Sequence, residues 1–334
     1  MAGVEWHRRF AIRNKETDDV MTGSILVIGG AHMDRRGRID GTTAMGASNP
    51  GRWIEEPGGG GLNAARSLSR LGQNVRLIAP RGGDSAGEQV AEAACKAGID
   101  DCPVVFLDRT TPSYTAILEA DGNLIIALAD MDLYDMFTPR RLRARSLRES
   151  LDMAHLVLCD ANLPEGTLTA LAEEAAARRL PISAIAISPA KVVRLRPSLK
   201  HLDRLFMNAA EAEALTGKRP VHPEGWPALL RGAGLKAGVV TSGSGTAVAF
   251  DQVSVATLSP PRLESVIDVT GAGDAFAAGF IAARLDGANL GEALRNGAAV
   301  AALTLLSPHA TAENLTRDLL KLNLALVPDA KILS

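Results

Sequence analysis

The sequence predicts an α/β domain in three layers: a mostly parallel central sheet, helices on both faces, and a small β lid inserted early in the chain. Three observations predict it. Apolar bursts at 25–29 (ILVIG), 75–79 (VRLIA), 155–159 (HLVLC), 184–187 (AIAI) and 237–241 (AGVVT) are near-continuous, as strands buried on both faces are. Amphipathic stretches at 62–71, 85–97, 165–178 and 208–216 fall between them, and such alternation implies crossover helices and parallel pairing. Two early segments, about 35–57 and 103–130, break this rhythm and supply the lid.

Taken in order, residues 1–22 are polar and without clear period, and are expected to be a disordered tail; Met21 stands just before the first strand. The remainder, 23–330, reads as one domain. Residues 35–57 are rich in Gly, Arg, Thr and Pro and form an excursion after the first strand. Residues 103–130 hold two β-rich runs around Asp121-Gly122, a hairpin signal with no helix between the strands. Strands inserted here would lie over the C-terminal edge of the sheet, where open α/β sheets bind ligands; an edge hairpin on the main sheet is the alternative.

Composition excludes several classes. At 46% hydrophobic residues and 22% charged, the chain can build a large core, and with aromatics at 4% that core must rest on aliphatic packing. A formal net charge of -2 gives no general attraction to nucleic acid or anionic membrane, so any anion handling must be local. Cys95, Cys102 and Cys159 form neither a CxxC pair nor a cluster with His, and read as free thiols of a reducing, cytoplasmic compartment. No apolar run reaches membrane-spanning length. The basic run at Arg140, Arg141, Arg143 and Arg145 reads as a solvated helix face.

The chemistry concentrates in Asp268-Val-Thr270-Gly271-Ala272-Gly273-Asp274, followed by a small-residue stretch of helical period. The Gly-Ala-Gly step falls at a helix N-terminus, where free N–H groups and the helix dipole favour an anion. A carboxylate at 274 would only repel a stored phosphate. It makes sense if it accepts a proton from an attacking hydroxyl while the amides of 271–273 stabilise a transferring phosphoryl group. A tight turn capped by Asp274 is the alternative. GxxxxGK[ST] and GxGxxG are both absent, which argues against a P-loop and a nicotinamide-binding fold.

Three further constellations accompany it. Gly58 to Gly61 run into a helix that opens with Leu62-Asn63, so backbone can approach a ligand and Asn63 can offer an amide to a hydroxyl, or the glycines are a flexible loop before an ordinary helix. Asn208 and Glu211 share a helix face and could organise a magnesium-water shell near phosphates, or form a capping box. Thr241, Gly243 and Gly245 follow a strand and suit nucleotide contacts, or an ordinary turn.

Together, PGGGGLNAARSLSRLG (57–72) and DVTGAGDAFAAGF (268–280) resemble the two signatures of the PfkB/ribokinase family of carbohydrate and nucleoside kinases, over about Ile25 to Leu320. The resemblance implies a ribokinase-like fold and ATP-dependent phosphorylation of a small molecule, with no nucleic acid or membrane partner. It implies that Asp34, Gly59 and Asn63 hold ribose-like hydroxyls, with His32 in the substrate loop. Asn208 and Glu211 would serve Mg2+ and phosphate, Glu211 through water, while Thr241, Gly243 and Gly245 would contact the nucleotide. Asp274 would be the base, with Asp268 and Thr270 where relatives often bind K+. The lid would close on substrate and pair with that of a second subunit in a homodimer. Ser48-Asn49-Pro50-Gly51, Ser113-Tyr114 and Ala129-Asp130-Met131 resemble the pseudouridine kinase branch, which would set Ser48, Tyr114 and Asp130 against a base. Ribose, adenosine or a hexose are the alternative substrates, and a non-catalytic nucleoside or sugar sensor the alternative class. His32, Leu62 and Thr246 depart from the usual Asn, Arg and Gly.

Overall fold

The computed structural model describes residues 24–333, so the expected tail at 1–22 lies outside the described residues. The strands are β1 (Ser24–Ile28), β2 (His32–Ile39), β3 (Gly51–Gly58), β4 (Val75–Ile78), β5 (Pro80–Gly82), β6 (Asp100–Asp101), β7 (Val104–Phe106), β8 (Ser113–Leu118) and β9 (Leu124–Asp130). They continue as β10 (Ala154–Asp160), β11 (Ile182–Ile185), β12 (Arg204–Asn208), β13 (Gly238–Ser242), β14 (Gly245–Phe250), β15 (Val255–Leu258) and β16 (Lys331–Leu333). The helices are α1 (Gly60–Arg70), α2 (Ser85–Lys96), α3 (Arg145–Met153), α4 (Glu165–Ala177), α5 (Pro189–Val192), α6 (Ala209–Thr216), α7 (Trp226–Gly232), α8 (Ala272–Leu285), α9 (Leu290–Leu305) and α10 (Arg317–Leu324).

The main sheet has ten strands in the order β16-β15-β14-β13-β12-β11-β10-β1-β4-β6. Pairing is parallel from β6 to β13 and antiparallel beyond. Its central strand shows why the strands read as unbroken apolar runs. Ile25 and Val27 of β1 join one core with α1, α2, α8, α9 and α10; Leu26 and Ile28 join the other with α3 to α7. Side chains alternate across a strand, so a sheet covered on both faces needs apolar residues at every position.

A second sheet, β3-β2-β8-β9, forms the lid. β2 and β3 are antiparallel from His32 opposite Gly58 to Ile39 opposite Gly51, β8 joins β2 in parallel, and β9 closes the expected hairpin with β8. The lid strands extend beyond the expected 35–57 by beginning at His32 and ending at Gly58. Residues 103–112 are a correction: β7 pairs with β5 in a separate two-stranded sheet, held by Val104 N–H to Ala79 O at 3.0 Å and by burial of Phe106. The strand expected at 184–187 is also corrected to 182–185. Ile187 leaves the sheet at φ +70°, a conformation costly for a β-branched residue. The basic run at 140–145 is a 3-10 turn (Pro139–Arg143) and the start of α3, not one helix; its arginines are exposed. All three cysteines are free, and no helix among the described residues is long and apolar enough to cross a membrane.

The β5 edge carries a buried ion pair. Arg81 is 1% exposed and grips Asp101 of β6 with two hydrogen bonds of 2.5 and 2.6 Å. Removing one partner strands a buried charge, whereas replacing both with apolar groups does not. Asp101→Asn should therefore lower the unfolding free energy by about 3–5 kcal/mol in urea titrations, and the double variant Arg81→Met, Asp101→Leu should recover most of that loss.

Candidate active site

The local sequence 268–274 builds the floor of the site. Gly271 caps α8 at φ +74°, and a side chain there would collide with the Ala310 carbonyl. Glycine alone meets both demands, and it lets the helix start abruptly. The residues that follow are small, and Ala275 to Ala283 are all buried, so α8 lies tight against the sheet and α9. Its N-terminus is thereby fixed at the C-terminal edge of the strands, on a cavity of about 600 Å³.

At this N-terminus Ala272 N–H makes a long bond of 3.4 Å to Val269 O. The N–H groups of Gly271, Gly273 and Asp274 have no protein acceptor among the described residues. The open set is thus 271, 273 and 274 rather than the expected 271–273, because the turn draws the 272 amide back onto Val269.

The Asp274 carboxylate lines the cavity and accepts a hydrogen bond from Asn63 Nδ2 at 3.0 Å. Burial pushes its carboxyl up to about 7; Asn63 opposes this, and the negative charges of Asp160, Asp34 and Glu211 add to it. Asn63 sits in the first turn of α1, buried, and its Oδ1 has no partner, leaving a buried acceptor aimed at the site. The glycines before it permit this approach. Gly59 has φ +100°, and a side chain there would meet Gly30 O at 2.7 Å and His32 Nδ1 at 2.9 Å.

The lid supplies the opposite wall. Asp34 and Tyr114 are cross-strand partners and Tyr114 pairs with Ala129, so all three share the face that lines the cavity. His32 bridges the buried Tyr134 hydroxyl (Nδ1, 2.9 Å) and Asp34 (Nε2, 3.3 Å). Burial, first, and the charge of Asp160 raise the Tyr134 hydroxyl well above its ordinary range, which keeps it a donor.

A third polar group lies after β10. Asp160 accepts from Gly30 N–H at 2.7 Å and Asn162 N–H at 2.9 Å, and Lys191 Nζ donates to Asn162 Oδ1 at 2.6 Å. Burial lowers the Lys191 ammonium, partly offset by Asp160. Asn162 Nδ2 is buried without an acceptor and, like Lys191, lines the cavity.

At the remaining end, Asn208 and Glu211 form the capping box that their spacing allowed, with Glu211 Oε2 accepting Asn208 N–H at 2.7 Å. Both also line the cavity with Thr241, and burial raises the Glu211 carboxyl. Capping uses one oxygen of Glu211, so the capping box does not exclude the second reading of this motif. Thr270 lines the cavity; Asp268 stands behind it, its Oδ1 accepting Thr270 N–H at 2.8 Å and its Oδ2 held by Arg36.

Besides Asp268 and Ala272, four expected residues are not brought to the cavity. Ser48 is exposed in the loop joining β2 to β3, at the end of the lid opposite His32. Asp130 pairs with Ser113, whose neighbour is Met33; this row faces away from Asp34 and Tyr114. Gly243 and Gly245 form the exposed turn between β13 and β14, outside the cavity lining. Conversely, Tyr134, Lys191 and Ile187 belong to the site and were not anticipated. A Tyr in an acidic turn and a Lys after a Ser-Pro carry no local signal; only the sheet topology brings them here.

Comparison with known proteins agrees with this geometry. Residues 22–317 match the pfkB family carbohydrate kinase. Pseudouridine kinase of Escherichia coli K12 is 30% identical over 279 residues, covering 81% of this chain and 87% of that protein. A carbohydrate kinase from Agrobacterium tumefaciens superposes with a TM-score of 0.85 at 59% identity, covering 93% of this chain and 100% of its own. Arabidopsis thaliana ribokinase, solved with ribose and ATP, shares the fold with a TM-score of 0.79 at 22% identity, covering 91% and 99%. With the signature helix N-terminus, its carboxylate and the lid all in place, the chain belongs to the pfkB family of carbohydrate kinases and is a sugar or nucleoside kinase of ribokinase-like fold.

Proposed function

We propose that this kinase transfers the γ-phosphoryl group of ATP to the 5′-hydroxyl of a nucleoside, with pseudouridine as the substrate. The observation that carries the reading is the Asp274 carboxyl, raised to about 7 and pinned by Asn63 beside the open N–H groups of Gly271, Gly273 and Asp274. A base with a pKa near the working pH combines the correct protonation state with enough proton affinity. Asp274 takes the hydroxyl proton as the oxygen attacks. The amides at the start of α8 receive the charge that spreads over the transferring phosphoryl oxygens, where preorganised donors act most strongly.

Asp34, Asn63 and the His32–Tyr134 pair support recognition of ribose hydroxyls, since the unpaired Asn63 Oδ1 needs a donor. Thr241 and Asn208 face the nucleotide end. Glu211, half-engaged as a cap, would hold Mg2+ through water, and the ion would supply charge neutralisation for the phosphates when bound. Two observations favour a nucleoside over a bare sugar. Asn162 and Lys191 offer donors that the carbonyl oxygens of a base would satisfy, and the E. coli relative named above is a pseudouridine kinase. Closure of the lid would exclude water and suppress ATP hydrolysis.

Lid pairing in a homodimer has its own support. On the face away from the cavity, Trp53 lies across Gly37 against Ile117, beside Ile126 and Leu128. Trp53 is 58% exposed, Ile126 64% and Leu128 69%, an apolar patch of the kind that marks an interface.

Measured as ATP consumption against pseudouridine, uridine, adenosine, ribose and a hexose, turnover should be highest with pseudouridine; preference for ribose would overturn the nucleoside reading. Asp274→Asn should reduce kcat by about 10²–10⁴-fold with ATP affinity retained, and wild-type kcat/KM should rise through pH about 7 and then level off. The same carboxyl has the opposite sign in stability. Its folded pKa is raised, so the stability it contributes is fully present below the ordinary carboxylate range and lost as pH rises through about 7. The Tm advantage of Asp274→Asn over wild type should therefore grow between about pH 5 and about pH 8. Finally, Ile126→Asp with Leu128→Asp should convert a dimer to a monomer in light scattering.

A further inference from the structure

The loop that delivers Asp274 is anchored by a chain of charges running into the lid. Arg36, on β2, contacts Asp268 Oδ2 through Nη1 and Glu56 Oε1 of β3 through Nη2. The other Glu56 oxygen lies 3.0 Å from His309 Nδ1, and His309 N–H donates to Ser307 Oγ at 3.1 Å. This last segment is the one whose Ala310 carbonyl abuts Gly271. Arg36, Asp268 and Glu56 keep only 16%, 20% and 11% of their side-chain surface exposed. Burial works to raise the Asp268 carboxyl, yet Thr270 and Arg36 hold it below the usual carboxylate range.

Relatives often place a monovalent cation at this Asp and Thr, and the residues present do not fit one. Both Asp268 oxygens are engaged, one by Thr270 N–H and one by a guanidinium. A metal cation on the same carboxylate would sit in contact range of that guanidinium, in a partly buried setting where like charges repel strongly.

We propose that the Arg36 guanidinium is a built-in cation for the 268–271 loop, so that phosphoryl transfer needs no added monovalent cation. This rests on the phosphotransfer reading above. Arg36 does not line the cavity and acts as a positioning residue. It neutralises Asp268, whose charge would otherwise oppose the anion bound at the start of α8, and it sets the loop that orients the Gly271 and Gly273 amides. A bidentate, permanently charged guanidinium suits bridging two carboxylates. Because Arg36 rides on the lid strand that carries Asp34, the cation and the substrate wall belong to one element.

The test compares KCl, NaCl and tetramethylammonium chloride at constant ionic strength, with whichever acceptor turns over. Wild-type kcat should stay within about twofold across the three salts, and activation by K+ of about tenfold or more would overturn the proposal. Arg36→Ala should lose about 10²-fold in kcat in tetramethylammonium, with acceptor KM little changed, and regain at least about tenfold on adding K+ or guanidinium. A loss that neither cation restores overturns the proposal, since that marks a purely structural role. A second readout is independent of turnover. Wild-type Tm should not differ between K+ and tetramethylammonium, while Arg36→Ala should be stabilised by K+; a K+-dependent wild-type Tm overturns the proposal. If no acceptor is phosphorylated, the substrate reading fails while the Tm comparison still decides the cation.

Discussion

A carboxylate beside a phosphoryl-binding helix N-terminus faces contradictory demands. It must be basic enough to take a proton, yet its charge opposes the anion next to it. Here the conflict is met by burial. Desolvation and the neighbouring acids raise Asp274 to about 7, while Asn63 Nδ2 fixes the oxygen that must remain ionisable. Much of the fold serves this one contact. The small residues of α8 let its N-terminus reach the sheet edge, and α1 begins on glycines so that Asn63 can approach from the other side.

The lid is the second half of the arrangement. Its inner face brings Asp34 and Tyr114 over the cavity, and its strand β2 also carries Arg36 to Asp268. Substrate wall and anion loop are thus mechanically joined through one strand, which gives a physical reason for substrate binding and amide alignment to occur together. The φ of +70° at Ile187, on the cavity floor, fits the same pattern, because strain in such sites persists only where surrounding packing enforces it.

Much of this was legible in the residues. Unbroken apolar strands and intervening helices marked the parallel sheet, and the Asp121-Gly122 turn marked the lid hairpin. Asp274 and Asn63 stood in glycine-rich motifs at helix starts, where close backbone approach to a ligand was one of two readings. What could not be read was long-range. Lys191 reaches the cavity, and Tyr134 the His32 ring that lines it, only because separate crossovers end at the same sheet edge. Asp130 and Ser48 were expected near substrate from local motifs, but strand alternation turns Asp130 away and the β2–β3 register carries Ser48 to the far end of the lid. The engagement of Asp268 by Arg36, a residue 232 positions away, has no counterpart in either local sequence.

The central claim is that Asp274 is a proton acceptor poised near neutrality by its surroundings. Titrating its side-chain carboxyl carbon by 13C NMR in the folded, ligand-free protein, with Asp274→Asn to assign the signal, tests it most directly. The account predicts a midpoint near 7, and a midpoint near the ordinary 3.8 of an aspartate would contradict it.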